Sequence, residues 1–247
     1  MHGRRKHMSE NDGLLSPWSD GSSSRSVSPL DISDRLVTVS DVGNPRRRLA
    51  DATRAVLQHT HTSTAGDDPI IRAAELIEQA AALLAEGPHG RGYHGQAGAD
   101  EGAPHGFIAY SPVSGPFNAL SAPTVISATE NQIIATVTYG DAHEGPPGCL
   151  HGGLIAAVFD EVLGFAQALS GTPGMTGRLE VTYRSPTPLH QELTVIGTYT
   201  GTNGRKVMTE GRIMAGDRLC AEAVGTFITG KGEHFAKLAE VRSSQKR

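Results

Sequence analysis

The stretch Pro146-Pro147-Gly148-Cys149-Leu150-His151-Gly152-Gly153, with the apolar run that follows it to about Leu169, decides the reading. Its prolines and glycines make a turn that opens into a helix. Leu154, Ile155, Val158, Phe159, Val162, Leu163, Phe165, Ala166 and Leu169 then cover nearly every face of that helix. A helix apolar all round is a buried helix. This one falls short of the roughly 20 apolar residues that span a bilayer, and Asp160 and Glu161 interrupt it. An unpaired carboxylate is costly to bury. An acid in such a helix is therefore paired, hydrogen-bonded or functional.

Backbone N–H groups without intrahelical partners and the positive end of the dipole collect where His151-Gly152-Gly153 starts the helix. Glycine lets an acyl group approach that backbone closely, which makes an oxyanion site for a carbonyl under attack. Asp160 lies eight residues beyond Gly152, about 12 Å along a helix at ~1.5 Å per residue. If both act on one carbonyl, they come from two copies of the helix. Two antiparallel copies side by side would set Gly152 of one opposite Asp160 of the other, so the expectation is a homodimer with composite sites.

Outward from the helix the pattern is that of strands. Segments near 107–111 and 123–129 read as strands, and Ile133, Ala135, Val137 and Tyr139 share one face of a third. After the helix, Thr176–Arg184 alternates through Leu179, Val181 and Tyr183. Glu192–Thr200 follows. Asn203-Gly204 turns it into Lys206–Met214, and Gly216-Asp217 leads on to Leu219–Thr229. Short loops imply antiparallel neighbours. The expected fold is α+β: a curved antiparallel sheet of about six strands around one buried helix, with an N-terminal helical extension.

That extension divides into parts. Residues 1–44 are polar and low in complexity and read as disordered. Within 45–106, one helix is expected over 45–58, with Leu49, Val56 and Leu57 as its apolar contacts. A second is expected over 69–86, capped by Asp68 and opened by Pro69, with Ile70, Ala74, Ile77, Ala81 and Leu84 on one stripe that needs a surface to cover. A Gly- and His-rich loop follows, whose His89, His94 and His105 match no metal spacing. Residues 107–229 form the main domain, and 230–247 a charged tail.

Composition narrows the classes. The chain has 247 residues and a formal charge of -4, which argues against a general nucleic-acid binder. Two cysteines, Cys149 and Cys220, give no disulfide framework and suit a reducing cytoplasm. The first residues lack the apolar core of a signal peptide, and no membrane span is read anywhere. Cys149 as a nucleophile lacks a partner base in the sequence.

His151-Gly152-Gly153, the apolar run, Asp160 nine positions after His151, Gly174-Met175-Thr176 and Val181-Thr182-Tyr183-Arg184-Ser185-Pro186 together resemble the hotdog-fold acyl-CoA thioesterases, the PaaI-like thioesterase superfamily, over about Phe107–Thr229. The resemblance implies a hotdog fold, dimers often paired into tetramers, and hydrolysis of an acyl-CoA thioester in the cytoplasm. It implies no metal and no cofactor beyond the coenzyme A of the substrate. It casts the Gly152 N–H as the group that polarises the thioester carbonyl and Asp160 as base or nucleophile. Thr176 orients the water, and His151 shapes the turn. Gly153 and Glu161 would border the substrate, with Glu161 second to Asp160 as an acid. Arg184, Arg205 or Lys206 would meet coenzyme A phosphates. Some relatives carry Asn or Gln where this chain has Gly145. Two rival readings stay open: a non-catalytic acyl-CoA binding module, and an acyl-thioester hydratase or dehydratase, whose His–acid motif is not found here.

Overall fold

From Thr124 onward, inward apolar residues alternate with outward polar ones, and each short turn returns the chain beside the strand it has just made. In the computed structural model of the chain, residues 43–87, 109–172 and 174–230 are described. All but Gly230 of these lie in one unit, 26–229. In chain order the elements are α1 (Pro45–Thr62), α2 (Asp67–Ala85), β1 (Thr124–Ala128), β2 (Gln132–Thr138), α3 (Gly152–Ala168), β3 (Gly174–Tyr183), β4 (Glu192–Asn203), β5 (Lys206–Ala215) and β6 (Arg218–Thr229). A short 3-10 turn, Asp141–His143, precedes α3.

The strands make one six-stranded sheet in the order β1-β2-β4-β5-β6-β3, antiparallel throughout. Helix α3 lies against β2 to β6 and carries the core. Ile155, Val158, Phe159, Val162, Leu163 and Ala166 are buried there with Ile133, Ala135, Val137, Tyr139, Val195, Val207 and Phe227. Close approach needs glycine in the strands beneath. A Cβ on Gly211 would stand 3.0 Å from both Leu163 and Phe159, and one on Gly225 only 2.6 Å from the Thr209 hydroxyl. Phe159 and Leu163 are therefore committed to the helix–sheet core. Gly204, at φ +58°, makes the β4–β5 turn in a conformation that other residues rarely adopt.

Helix α3 is not covered on every side within the chain: His151, Gly153, Asp160 and Ala168 are exposed. Asp160 therefore sits at a surface, and burial does not explain it. Strand β3 has a neighbour on one side only, β6. Most of its residues are exposed, so a ten-residue strand presents a free edge.

The N-terminal helices differ from expectation in three ways. Helix α1 runs on to Thr62, and Ala50 is its buried residue, while Leu49, Val56 and Leu57 are exposed. Polar groups seat it instead. The Arg54 guanidinium donates to the carbonyls of Asn118 (2.7 Å) and Pro116 (3.2 Å), and Gln58 Oε1 accepts the Ala142 N–H at 3.0 Å. Helix α2 begins at Asp67 with Gly66 as its cap, which places Asp68 inside the first turn, where an acid favours the dipole. It buries no residue: Ile70, Ile71, Leu76, Ile77, Leu83 and Leu84 are all exposed among the described residues. The strand expected over 107–111 is also absent where it is described, since 109–111 form a turn that leads into the loop before β1. The expected disordered extension, the His-containing loop and the charged tail fall on 1–42, 88–108 and 231–247, outside the described residues.

Candidate active site

The site grows from the two halves of α3. At its start, His151 is the N-cap, and its Nδ1 accepts the Gly153 N–H at 3.0 Å. The His151 carbonyl accepts from Leu154 (2.9 Å) and Ile155 (3.2 Å), and its own N–H donates to the His143 carbonyl at 3.0 Å. Of the four N–H groups in this first turn, only that of Gly152 meets no acceptor among the described residues. A helix N-terminus leaves such donors by construction. Here the cap consumes the others and leaves one. The peptide that carries it is polarised, because its carbonyl already accepts two bonds.

One side chain stands over this turn. The Tyr183 hydroxyl, at the end of β3, donates to the Gly152 carbonyl at 3.0 Å. Strand alternation placed Tyr183 inward with Leu179 and Val181. Those two do pack on the core, but Tyr183 is 56 % exposed and turns to the helix start.

In the second half of α3, the Thr176 hydroxyl donates to Asp160 Oδ1 at 2.7 Å. Both side chains are exposed, and only one carboxylate oxygen is engaged in this bond. The two acids of α3 part company here. Glu161 points the other way, where its Oε1 accepts from the buried Ser114 hydroxyl at 2.5 Å. Burial, and then the nearby Glu161 charge, pushes the Tyr139 phenol up from its usual range. Glu161 therefore pins the loop before β1, on a different side of the helix from Asp160, and 100° of helix rotation per residue is the reason.

The three expected phosphate ligands are split between the ends of the sheet. Arg184 follows Tyr183 and pairs with Glu222 at 2.8 Å. Arg205 and Lys206 lie at the β4–β5 turn. Lys206 is in register with Ile228, and Thr176 with the adjacent Phe227, so both belong to the Asp160 end. The Arg205 Nε donates to the Thr229 carbonyl at 3.0 Å.

The loop into α3 explains the glycine at 145. A Cβ there would stand 2.7 Å from His151 Cα, so no polar side chain fits without moving the turn that starts α3. Glu144 does not replace it, because its Oε1 accepts the Gly148 N–H at 2.6 Å and closes the loop. Behind this loop, a cavity of about 440 Å³ between α1 and the 3-10 turn is lined by Arg54, Gln58, Tyr139, Asp141, His143 and His190 among others, and by none of the α3 site residues. Burial lowers the His143 imidazole below the usual histidine value, and a backbone hydrogen bond at Gly140 offsets this only in part.

Known proteins resemble this chain in family and fold. A model of the thioesterase superfamily matches residues 147–222, from the glycine turn into β6. The crystal structure of protein RHA08564, a thioesterase superfamily protein, superposes with a TM-score of 0.66 at 34% identity, over 75% of this chain and 96% of that one. The chain belongs to the thioesterase superfamily, and its α+β sheet-and-helix architecture is the hotdog fold. The acyl-coenzyme A thioesterase THEM4 of Xenopus laevis is 34% identical over 101 residues, 40% of this chain and 46% of the relative. The human acyl-coenzyme A thioesterase 13 is 30% identical over 74 residues, 29% of this chain and 53% of the relative. The chain thus spans about half the length of the curated relatives it matches. No described helix is long and apolar enough to cross a membrane.

Proposed function

We propose that the protein hydrolyses an acyl-coenzyme A thioester to the free acid and coenzyme A. The observation that carries this reading is the pairing, on one helix, of a single unclaimed backbone donor at Gly152 with an exposed carboxylate at Asp160, itself oriented by Thr176. The relatives named as acyl-coenzyme A thioesterases support the substrate class.

The thioester oxygen lies on the Gly152 N–H, which stabilises the charge that develops there. Asp160 accepts a proton from a water whose oxygen attacks the carbonyl carbon. The oxyanion collapses, the carbon–sulfur bond breaks, and coenzyme A leaves as a thiolate that takes up the proton. The step uses no metal or redox cofactor. Donor and base are about 12 Å apart in one chain at ~1.5 Å per residue, so each site takes Gly152 from one subunit and Asp160 from its partner in a homo-oligomer, a dimer or a tetramer. The exposed edge of β3 and the uncovered side of α3 support that pairing. It also gathers Arg184 of one subunit with Arg205 and Lys206 of the other around the coenzyme A phosphates. The two free cysteines suit a cytoplasmic setting.

The test is coenzyme A release from acetyl-, octanoyl-, palmitoyl- and phenylacetyl-coenzyme A by wild type and Asp160→Ala. Turnover in wild type that collapses in the variant is expected. Binding of the same compounds with no turnover would replace the hydrolase with a binding module.

A further inference from the structure

We propose that Tyr183 is a positioning residue for the Gly152 oxyanion donor, an inference that rests on the hydrolase reading above. The peptide between Gly152 and Gly153 is tied at both of its polar groups by side chains. Its carbonyl takes the Tyr183 hydroxyl at 3.0 Å, and its N–H goes to His151 Nδ1 at 3.0 Å. Two consecutive glycines would otherwise give this turn wide backbone freedom. Locking that peptide fixes the plane next to the one that carries the open Gly152 N–H.

The lock has a rigid base. Directly after Tyr183, the N–H groups of Arg184 and Ser185 both donate to the Cys220 carbonyl, at 2.8 and 3.0 Å. The Ser185 hydroxyl donates to the Leu219 carbonyl at 2.7 Å, and Arg184 holds Glu222. The end of β3 is thereby fastened to β6, and the phenol reaches from it to the helix. Core packing does not explain the residue, since its side chain lies outside the buried cluster. Nor does the ring crowd the turn: a Cβ on Gly152 would lie 3.5–3.6 Å from the Tyr183 hydroxyl and ring atoms, in ordinary contact. What Tyr183 contributes is the hydrogen bond.

Tyr183→Phe keeps the ring and deletes that bond. With acyl-coenzyme A substrates of the panel, kcat should fall about tenfold, because a small misplacement of a catalytic group costs rate. KM should rise by no more than the several-fold weakening expected for a carbonyl-bearing analogue, and the thermal midpoint should stay at the wild-type value. A second readout needs no turnover: binding of matched acetyl, octanoyl and palmitoyl analogues of acyl-coenzyme A, one series a methylene ketone that keeps the carbonyl, the other a thioether that lacks it. The variant should bind the ketones several-fold more weakly and the thioethers as wild type does. Unchanged kcat, or equal loss on both series, overturns the assignment. A ketone-selective loss in a protein that turns over nothing would support Tyr183 while removing the hydrolase reading. Failure of wild type to bind either series would remove both.

Discussion

The two ends of the working half of α3 are built alike and finished differently. At each, a hydroxyl from β3 reaches the helix: Tyr183 to the Gly152 carbonyl, Thr176 to the Asp160 carboxylate. At the Gly152 end the hydroxyl takes a carbonyl and leaves a donor open. At the Asp160 end it takes one carboxylate oxygen and leaves the acid a surface. On the proposed reading one end receives negative charge and the other accepts a proton, and the helix keeps them apart. One strand, β3, supplies the hydroxyl that orients each end.

Breaking the Asp160 end should have the largest effect. Asp160→Asn is expected to lower kcat about 10³-fold, in the range of a lost general base, with an unchanged thermal midpoint because the residue is exposed. Steady-state release of coenzyme A and a melting curve check both halves of that statement. At the other end, Gly152→Ala keeps the backbone N–H but sets a methyl group where the acyl carbonyl must approach it, and should cost about 10²-fold, the scale of an oxyanion donor put out of reach. The fold should survive, since an added Cβ meets nothing nearer than 3.5 Å. A drop in thermal midpoint matching the loss of rate would make Gly152 a packing residue. Thr176→Val, which leaves Asp160 in place without its hydrogen bond, should slow kcat about tenfold, a mid-sized orientation effect. If Thr176→Val matches wild type, the symmetry between the two ends is lost.

The smallest effect lies behind the Gly152 end. His143, whose carbonyl holds the His151 N–H, is kept neutral by burial. Its lowered value means that the unfolded chain takes up the proton first. Its contribution to stability is therefore complete above the ordinary histidine value of 6.5 and lost as pH falls below it. Thermal midpoints between pH 7.5 and 5.5 should fall for wild type, and fall less for His143→Gln.

Much of this was legible in the sequence, for definite reasons. Alternation and the turns at Asn203-Gly204 and Gly216-Asp217 placed the four strands after α3, because burial on one face enforces period two. The two strands before α3 were read as well, together with a third over 107–111 that does not form where it is described. Gly152 and Asp160 were singled out by the glycine turn at the helix start and the acid within the apolar run, Thr176 by the resemblance, and the geometry sets Thr176 on Asp160. What failed were pairings that no local signal carries. Tyr183 keeps the parity of Leu179 and Val181, yet the strand outruns the core before reaching it. Arg184 meets Glu222 only through the β3–β6 arrangement, and Glu161 meets Ser114 only across 47 residues of chain. The stripe on α2 predicted an apolar face, which is there. Periodicity reports that a face is apolar, not what lies against it.

The most direct test of the account uses two crippled parents, Asp160→Ala and Gly152→Ala, carrying different tags and either refolded together or co-expressed. In a composite dimer, each heterodimer holds one intact site and one doubly broken site. Random pairing should then restore about a quarter of wild-type activity, as follows from two-fold symmetry, and purified heterodimers about half. Heterodimers that form and show no more activity than their parents would contradict the claim that the Gly152 end of one subunit works with the Asp160 end of the other.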